Sequence, residues 1–435
     1  MNTQDDIQPS VKDCPATSNR DKWKVYWIAL GQPWRLEPEI GIERQQYLAG
    51  RRNITPNIQQ IIFPFKDIKL DRADVEWLLA THEDERGPVD WSDESQRTRL
   101  GIDLRGADLR KADLHRLPLV SIHGGLNETE WAEATLEQRL LAAVHLEEAN
   151  LEEAHLEGAI LYSAHLEGAN LREAHLEKAG LYRAHLEGAY LRYAHLGGAF
   201  LRKAFFDSST SWDNAELQDI AFGCASLTDV HWGDLRLSDV DWTQIKILGD
   251  EERAKQLIRW DGKPKTKAQQ LKDYQRAMRA NRQLAVVLRD QGLNEEADRF
   301  AYRAQRLRRI TLRFQMLKPG ICVWRRIRIL LSLMFSLFLD LLAGFGYYPG
   351  RTLLWYLFVI GIFCILYSIT GHIHLLPDAL TFSIMSFHGR GFFPNLSGET
   401  NLHNSLVVGA AFEAIIGLFI EISFIATFTQ RFFGR

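Results

Sequence analysis

Residues 149–201 read ANLEEAHLEGAILYSAHLEGANLREAHLEKAGLYRAHLEGAYLRYAHLGGAFL. Leucine returns on every fifth residue from Leu146 to Leu201, twelve times without a miss. Alanine stands two residues before it from Ala149 to Ala199. A period of five fits neither the 3.6-residue helix nor the 2-residue strand. A short fixed period predicts one small unit stacked many times, each burying its apolar side against its neighbours alone.

Units such as Ala-His-Leu-Glu-Gly and Ala-Asn-Leu-Arg-Glu resemble the pentapeptide-repeat family, whose pattern is Ala-Asp/Asn-Leu-x-x. The resemblance implies a right-handed, four-sided β-helix with Leu inside, the small residue at the corner and three side chains in water. The register has three blocks. Leu104, Leu109, Leu114 and Leu119 open it. An interruption over Val120–His145 contains helix-like Glu130–Ala143. Leu146 to Phe206 is the second block. After one gained residue, Trp212, Leu217, Phe222, Leu227, Trp232, Leu237, Trp242 and Ile247 continue inward. Ala215, Ile220, Ala225, Val230, Leu235, Val240 and Ile245 then fill the small position. Together these make about 25 quintets, or about six coils.

His145, His155, His165, His175, His185 and His195 recur every ten residues, half a coil, so they should form two outward stacks. Glu147, Glu157, Glu167, Glu177 and Glu187 accompany them. One reading is a pH-sensitive or metal-binding ladder. The other is a solvated face inherited by repeat duplication, and it sets the expectation of no metal, since sites need a few convergent residues. Residues 101–247 hold 24 Asp+Glu against 13 Lys+Arg. Some proteins of the resembled family mimic DNA with an acidic surface and bind topoisomerase.

The remainder of the soluble part divides as follows. Residues 1–20 are polar and predicted disordered. Residues 21–100 are expected to cap the first coil, with an amphipathic helix at Arg72–Thr81. The repeats, with their insertion at about 120–145, fill 101–247. Residues 248–328 form a helical connector, a hairpin about Gly292. Asp90–Asp93 reads as a turn.

The whole chain has 435 residues and a net charge of −3, averages that hide a change of solvent near its end. Residues 352–370, TLLWYLFVIGIFCILYSIT, carry no charge over 19 residues, enough to cross about 30 Å of hydrocarbon. Residues 406–428 are a second apolar stretch, interrupted by Glu413 and Glu421. A third, 329–346, contains Asp340 and follows a basic run, and reads as an interfacial helix. Lys and Arg crowd the chain before the first span and are sparse between the spans, which puts both termini in the cytoplasm. Four scattered cysteines suit a reducing compartment.

Between the spans lies a short apolar helix-like stretch followed by Ser386-Phe387-His388-Gly389-Arg390-Gly391. Residues 350–435 resemble the two-transmembrane, pore-loop channels of the potassium-channel superfamily. The resemblance implies an outer helix, a re-entrant pore helix, a filter and an inner helix carrying Glu413, Gly417 and Glu421. The filter departs from Thr-Val-Gly-Tyr-Gly-Asp, so potassium selectivity does not carry over. Arg390 either lines the lumen as a positive ring or pairs with Glu413. His388 either faces the lumen or caps the pore helix. Gly417 is a hinge or a close contact. Glu421 is either an acidic ring that favours cations or a group engaged in helix packing.

The fold class is therefore mixed: a pentapeptide-repeat β-helix, a helical hairpin and an α-helical transmembrane pore domain of 347–435. The expected function is a cation-conducting channel of a bacterial inner membrane, assembled as a homotetramer. Its partners are membrane lipid and permeant ions, with no nucleic acid, cofactor or enzymatic chemistry. The alternative is a non-conducting membrane anchor whose acidic repeats bind a cytosolic partner such as a topoisomerase.

Overall fold

The computed structural model describes residues 15, 19–259, 263–318, 320–370, 376–389 and 405–432. The chain divides into two compact units, 1–297 and 298–435.

In the first unit the backbone returns to the same place every 20 residues. Parallel bridges join His145 to His165, Asn150 to Asn170, His155 to His175 and Ile160 to Gly180, and repeat one coil further on. Four quintets therefore make one coil. Each quintet contributes one bridging residue, so little extended strand exists and the coils are joined rung by rung. Leu146 N–H donates to the His165 carbonyl at 2.7 Å, and His165 N–H donates to the Val144 carbonyl at 3.0 Å. Every Leu from Leu151 to Leu201 and every Ala from Ala149 to Ala204 in this register is fully buried. At the turn, Ala149 N–H reaches back to Leu146 at 3.1 Å. The residue before that Ala, Glu148, has φ +57, and its counterparts Gly158, Gly168, Gly188 and Gly198 are the glycines of the repeat.

The N-terminal region supplies α1 (Arg20–Ala29), α2 (Ile42–Arg52), α3 (Arg72–Ala80) and α4 (His82–Glu85). Asp71 and Asp74 form a reciprocal capping box that starts α3. Fully buried Glu76 on α3 accepts the Leu36 and Glu37 N–H groups at 2.9 Å and Arg72 Nε at 2.6 Å. Lys69 bridges in parallel to Asp108, which covers the first exposed coil edge.

Three details differ from the sequence reading. The ladder does not stop at Leu119: His123 pairs with Asp103 on one side and Ile160 on the other. Gly124 then takes the leucine position, where a Cβ would meet Val144 Cγ1 at 2.7 Å and Leu161 Cδ2 at 2.8 Å. Second, the insertion is two helices, α5 (Glu128–Glu133) and α6 (Leu136–Leu141). Asn127 and Thr135 each build a capping box, so the chain restarts at Thr135 rather than continuing. Third, Ile220 and Phe222 are not inward. The bridges lengthen from 20 residues to 21 at Tyr190–Ser211 and to 26 at Phe200–Ser226. The extra quintet folds out as an antiparallel pair, β1 (Gln218–Asp219) and β2 (Gly223–Cys224). Ile220 is fully exposed, and Phe222 lies against Trp91.

Beyond Phe206 the inward positions become large. Trp212 packs on Phe206, Trp232 and Trp242, and leucine layers give way to indole rings. A short 3₁₀ turn at Leu237–Asp239 precedes the last of them. Helix α7 (Gly249–Lys255) closes the stack: buried Asp250 accepts Leu227 N–H at 2.7 Å and Thr228 Oγ1 at 2.5 Å. Helix α8 (Lys267–Asp290) is fastened to the last coils by Gln291, which accepts from Leu237 N–H and donates to the Leu235 carbonyl. Gly292, at φ +82, separates α8 from α9 (Asn294–Met316).

The second unit contains α10 (Val323–Ala343), α11 (Pro349–Thr370), α12 (Leu376–Phe387) and α13 (Ser405–Phe432). Three helical segments, Val323–Gly346, Gly350–Ile369 and Val407–Ala426, are long and apolar enough to cross a membrane. Helix α10 starts six residues before the expected 329, taking Arg325, Arg326 and Arg328 into its first turns. It ends at Gly344 in the left-handed conformation, φ +54. Asp340, an isolated charge in the sequence, is engaged: Arg309 Nη2 lies at 2.6 Å and the Tyr302 hydroxyl donates at 2.9 Å.

Candidate functional site

Helix α12 is too short to cross a bilayer, at about 18 Å for its twelve residues. It runs back along α11: Ser383 Oγ lies 3.1 Å from the Ile360 carbonyl, and the Phe387 ring packs on Tyr356 at 4.8 Å. Phe387 is buried with Leu342, Val359, Ile360 and Ile420. Gly417 lies directly behind it. A Cβ there would stand 3.0 Å from the Phe387 carbonyl carbon and 3.0 Å from its Cδ1. Gly417 is thus a close contact that lets α13 reach the end of α12.

One turn before Gly417, Glu413 is fully buried. Tyr367 donates its hydroxyl to Oε2 at 2.7 Å, and Ser383 Oγ lies 2.5 Å from Oε1. Both carboxylate oxygens are therefore taken by hydroxyls from α11 and α12. Its expected companion Arg390, with Gly391, lies outside the described residues. One turn after Gly417, Glu421 Oε1 meets His388 Nδ1. The Tyr356 hydroxyl lies 3.3 Å from His388 Nε2. Both side chains of that pair are about one-third exposed. Gly389 follows in the left-handed region at φ +66, and Ser386 is buried. Glu413, Gly417 and Glu421 thus face α12 together, each against a different depth of it. Tyr367 and Ser383 were missed from sequence. Their only signal is that hydroxyls recur in otherwise apolar helices, and a buried carboxylate needs such donors.

The six histidines form two stacks. His145, His165 and His185 lie 4.9 and 5.2 Å apart between ring centroids, and Phe205 and His231 continue the column at 4.7 and 4.5 Å. His155, His175 and His195 stack at 4.7 and 4.8 Å. The Nδ1 atoms of His145, His155, His165, His175 and His185 lie 2.9–3.4 Å from Oε1 of the Glu two residues on. His195, followed by Gly197, uses Glu216 at 2.9 Å instead. Three His/Glu groups, such as His155, Glu157 and His175, have ligand atoms within 4.8 Å. The neighbouring rings are parallel within 12°, so their lone pairs run side by side rather than converging at the 2.0–2.1 Å of a metal–imidazole bond. A hydrogen bond to Glu167 raises the His165 pKa against the opposing effect of burial, and Glu177 does the same for His175.

Residues 140–177 and 169–207 match the family model of pentapeptide repeats, in eight copies. Residues 140–207 are pentapeptide repeats. No curated protein matches the chain. Among solved structures it is similar to HetL, a pentapeptide-repeat protein involved in heterocyst differentiation regulation from the cyanobacterium Nostoc sp. strain PCC 7120. That match has 23% identity over 38% of this chain and 56% of HetL, with a TM-score of 0.18. A pentapeptide-repeat protein of the Arabidopsis thaliana thylakoid lumen matches at 22% identity over 29% of this chain and 81% of its own, TM-score 0.16. QnrB1, a plasmid-mediated fluoroquinolone resistance protein, matches at 19% over 33% and 78%, TM-score 0.14. The chain thus spans little more than half the length of HetL.

Two outcomes follow from the site geometry. Glu413→Ala leaves two buried hydroxyls without their acceptor and is expected to lower stability in detergent by about 2–4 kcal/mol, whereas Glu413→Gln retains an acceptor and costs less. Thermal unfolding of the purified variants measures the difference. For the pentapeptide-repeat unit, a raised folded-state pKa means that His165 and His175 stabilise the fold fully below their unfolded pKa of about 6.5. That contribution is lost as pH rises through the folded value. The melting difference between wild type and a His165→Asn/His175→Asn variant should therefore be largest near pH 6 and shrink toward about pH 9. A difference that grows with pH contradicts the assignment.

Proposed function

We propose that this chain is one subunit of a homotetrameric ion channel of a bacterial inner membrane. In this reading α11 and α13 span the bilayer, α12 is the re-entrant helix between them, and the pentapeptide repeats form a right-handed, four-sided β-helix in the cytoplasm. The observation that carries the reading is the His388–Glu421 pair. It is a partly exposed polar pair, and its Glu421 stands within the long apolar helix α13, where such a group needs a polar cavity or a neighbouring subunit. One re-entrant helix and two spans cannot enclose a pore alone, hence the oligomer. Glu421 favours cations, and Glu413, held by Tyr367 and Ser383, supports the scaffold rather than the lumen.

Helix α10 is assigned to the interface despite its length. Asp340 near its end is bound to Arg309 and Tyr302 of α9, a helix that also carries Arg303, Arg306, Arg308 and Arg313. Such a helix stays out of hydrocarbon, and it keeps the end of α10 with it. Both chain termini then fall on the cytoplasmic side, in accord with the basic run ahead of α11.

Planar-bilayer recording of the purified full-length protein tests this. The expected result is unitary current with cation preference that Glu421→Gln reduces. A folded, monomeric protein that passes no current overturns the channel reading and favours an anchor whose acidic repeats bind a cytosolic protein.

A further inference from the structure

One face of the repeat stack carries a cavity of about 640 Å³ between the coils, the start of α5, and helices α7 and α8. It lies within the range of small-molecule pockets, about 300–1,000 Å³, and exceeds what a bare inorganic anion fills. Its wall is partly aromatic. Tyr162 lies over Gly180, where a Cβ would stand 2.6 Å from the ring, and is held from the other side by Trp131 and Tyr182. Phe200 and Phe222 complete that wall.

The charge of this cavity is opposite to that of its surroundings. The repeat region carries 24 acidic against 13 basic residues, yet the cavity lining holds six Lys/Arg side chains against three carboxylates. Two of the three are committed. Asp273 is shared by Lys265 at 2.9 Å and Arg276 at 3.3 Å, and Glu252 accepts Cys224 N–H at 3.3 Å. Glu128, on α5, and Asp250, on α7, act on both Arg253 and Arg276 through space without contacting either. Arg253 itself forms no side-chain hydrogen bond or ion pair among the described residues, and its guanidinium lies 3.8 Å from the Phe200 ring centroid. Arg202 stands close enough to repel both Arg253 and Arg276, and its buried Nε also has no partner. Arg276 is paired with Asp273, but Arg253 has no contact ion pair among the described residues and stands beside two other guanidiniums, an arrangement that an anion would relieve. A planar guanidinium is suited to bidentate recognition of phosphate oxygens.

We propose that this cavity binds a nucleotide, with phosphates held by Arg253 and Arg276 and the base against the aromatic wall at Tyr162. Lys178, whose Nζ lies 4.8 Å from the Phe222 ring centroid, adds charge at the rim. This site is independent of the membrane reading.

The test is calorimetric titration of the full-length protein in detergent, with EDTA present, using ATP, adenosine and inorganic phosphate as separate probes. ATP is expected to bind saturably, once per chain, and each of the other two at least about tenfold more weakly. Arg253→Gln and Lys178→Gln are each expected to weaken ATP, the first by about tenfold or more. Arg236→Gln on the exposed surface should leave it unchanged. Circular dichroism checks that each variant is folded; if Arg253→Gln is not, Lys178→Gln decides. No saturable ATP binding, phosphate binding as tight as ATP, or full affinity in the folded variants overturns the proposal.

Discussion

The backbone hydrogen bonds from one coil to the next, joining residues 19 or 21 apart, are the constraint on which the first unit depends. Within its own coil a quintet satisfies only one amide, the Ala N–H of its turn. Apart from the Ala N–H that turns back to the Leu three residues before it, its N–H and carbonyl groups find backbone partners mainly in the quintets above and below. Between Leu146 and Leu201 stacking places leucines on leucines and alanines on alanines, and the core forms as layers. The same rule makes the two ends vulnerable. Lys69 on one side, and α7 with its Asp250 on the other, occupy the edges where another chain would otherwise pair.

Stacking also orders the outer surface. Side chains at equivalent positions are held one coil apart, so a histidine repeated every ten residues becomes two columns of parallel rings rather than a scatter. Parallel rings direct their in-plane lone pairs side by side, and the Glu partners of His165 and His175 favour a proton on those two rings. On the face where Gly180 follows Ile160 and precedes Phe200, the column is interrupted and Tyr162 lies over the gap, with the α5–α6 insertion seated beside it. The basic cavity arises from that interruption together with α7 and α8. In the second unit the logic is inverted. Apolar helices make the frame, and buried Glu413 with its two hydroxyl partners sets how closely α11, α12 and α13 approach.

Much of this was legible in the amino-acid sequence because the period is short. Leu146–Leu201 announced the layers, the ten-residue histidine spacing announced the two columns, and the gained residue after Phe206 appears as the 21-residue bridge from Tyr190 to Ser211. What was not legible involved residues that break local rules for distant reasons. Ile220 keeps the five-residue phase and yet is exposed, because the whole quintet is looped out between two coils that pair past it. Gly124 does not resemble a leucine, and its role depends on Val144, twenty residues away. The glycines at 158, 168, 188 and 198 mark the left-handed corner, which could have been read from their spacing. Of the candidate membrane site, Glu413, Gly417 and Glu421 were visible as one helical face. Their partners Tyr367, Ser383 and His388 come from other helices, and local sequence does not pair them.

The first unit depends on the ladder, and amide hydrogen exchange across residues 145–205 examines it most directly. In each quintet but one four amides donate to backbone carbonyls, Gly188 N–H going instead to Asp207 and Thr210 side chains, while the residue after the leucine, such as Glu147, Glu157 or Glu167, stands outside the ladder. The expected result is strong protection with a fast-exchanging amide at every fifth position, that position following each leucine. Uniformly fast exchange, or protection with a helical period, would contradict the stacked-quintet fold.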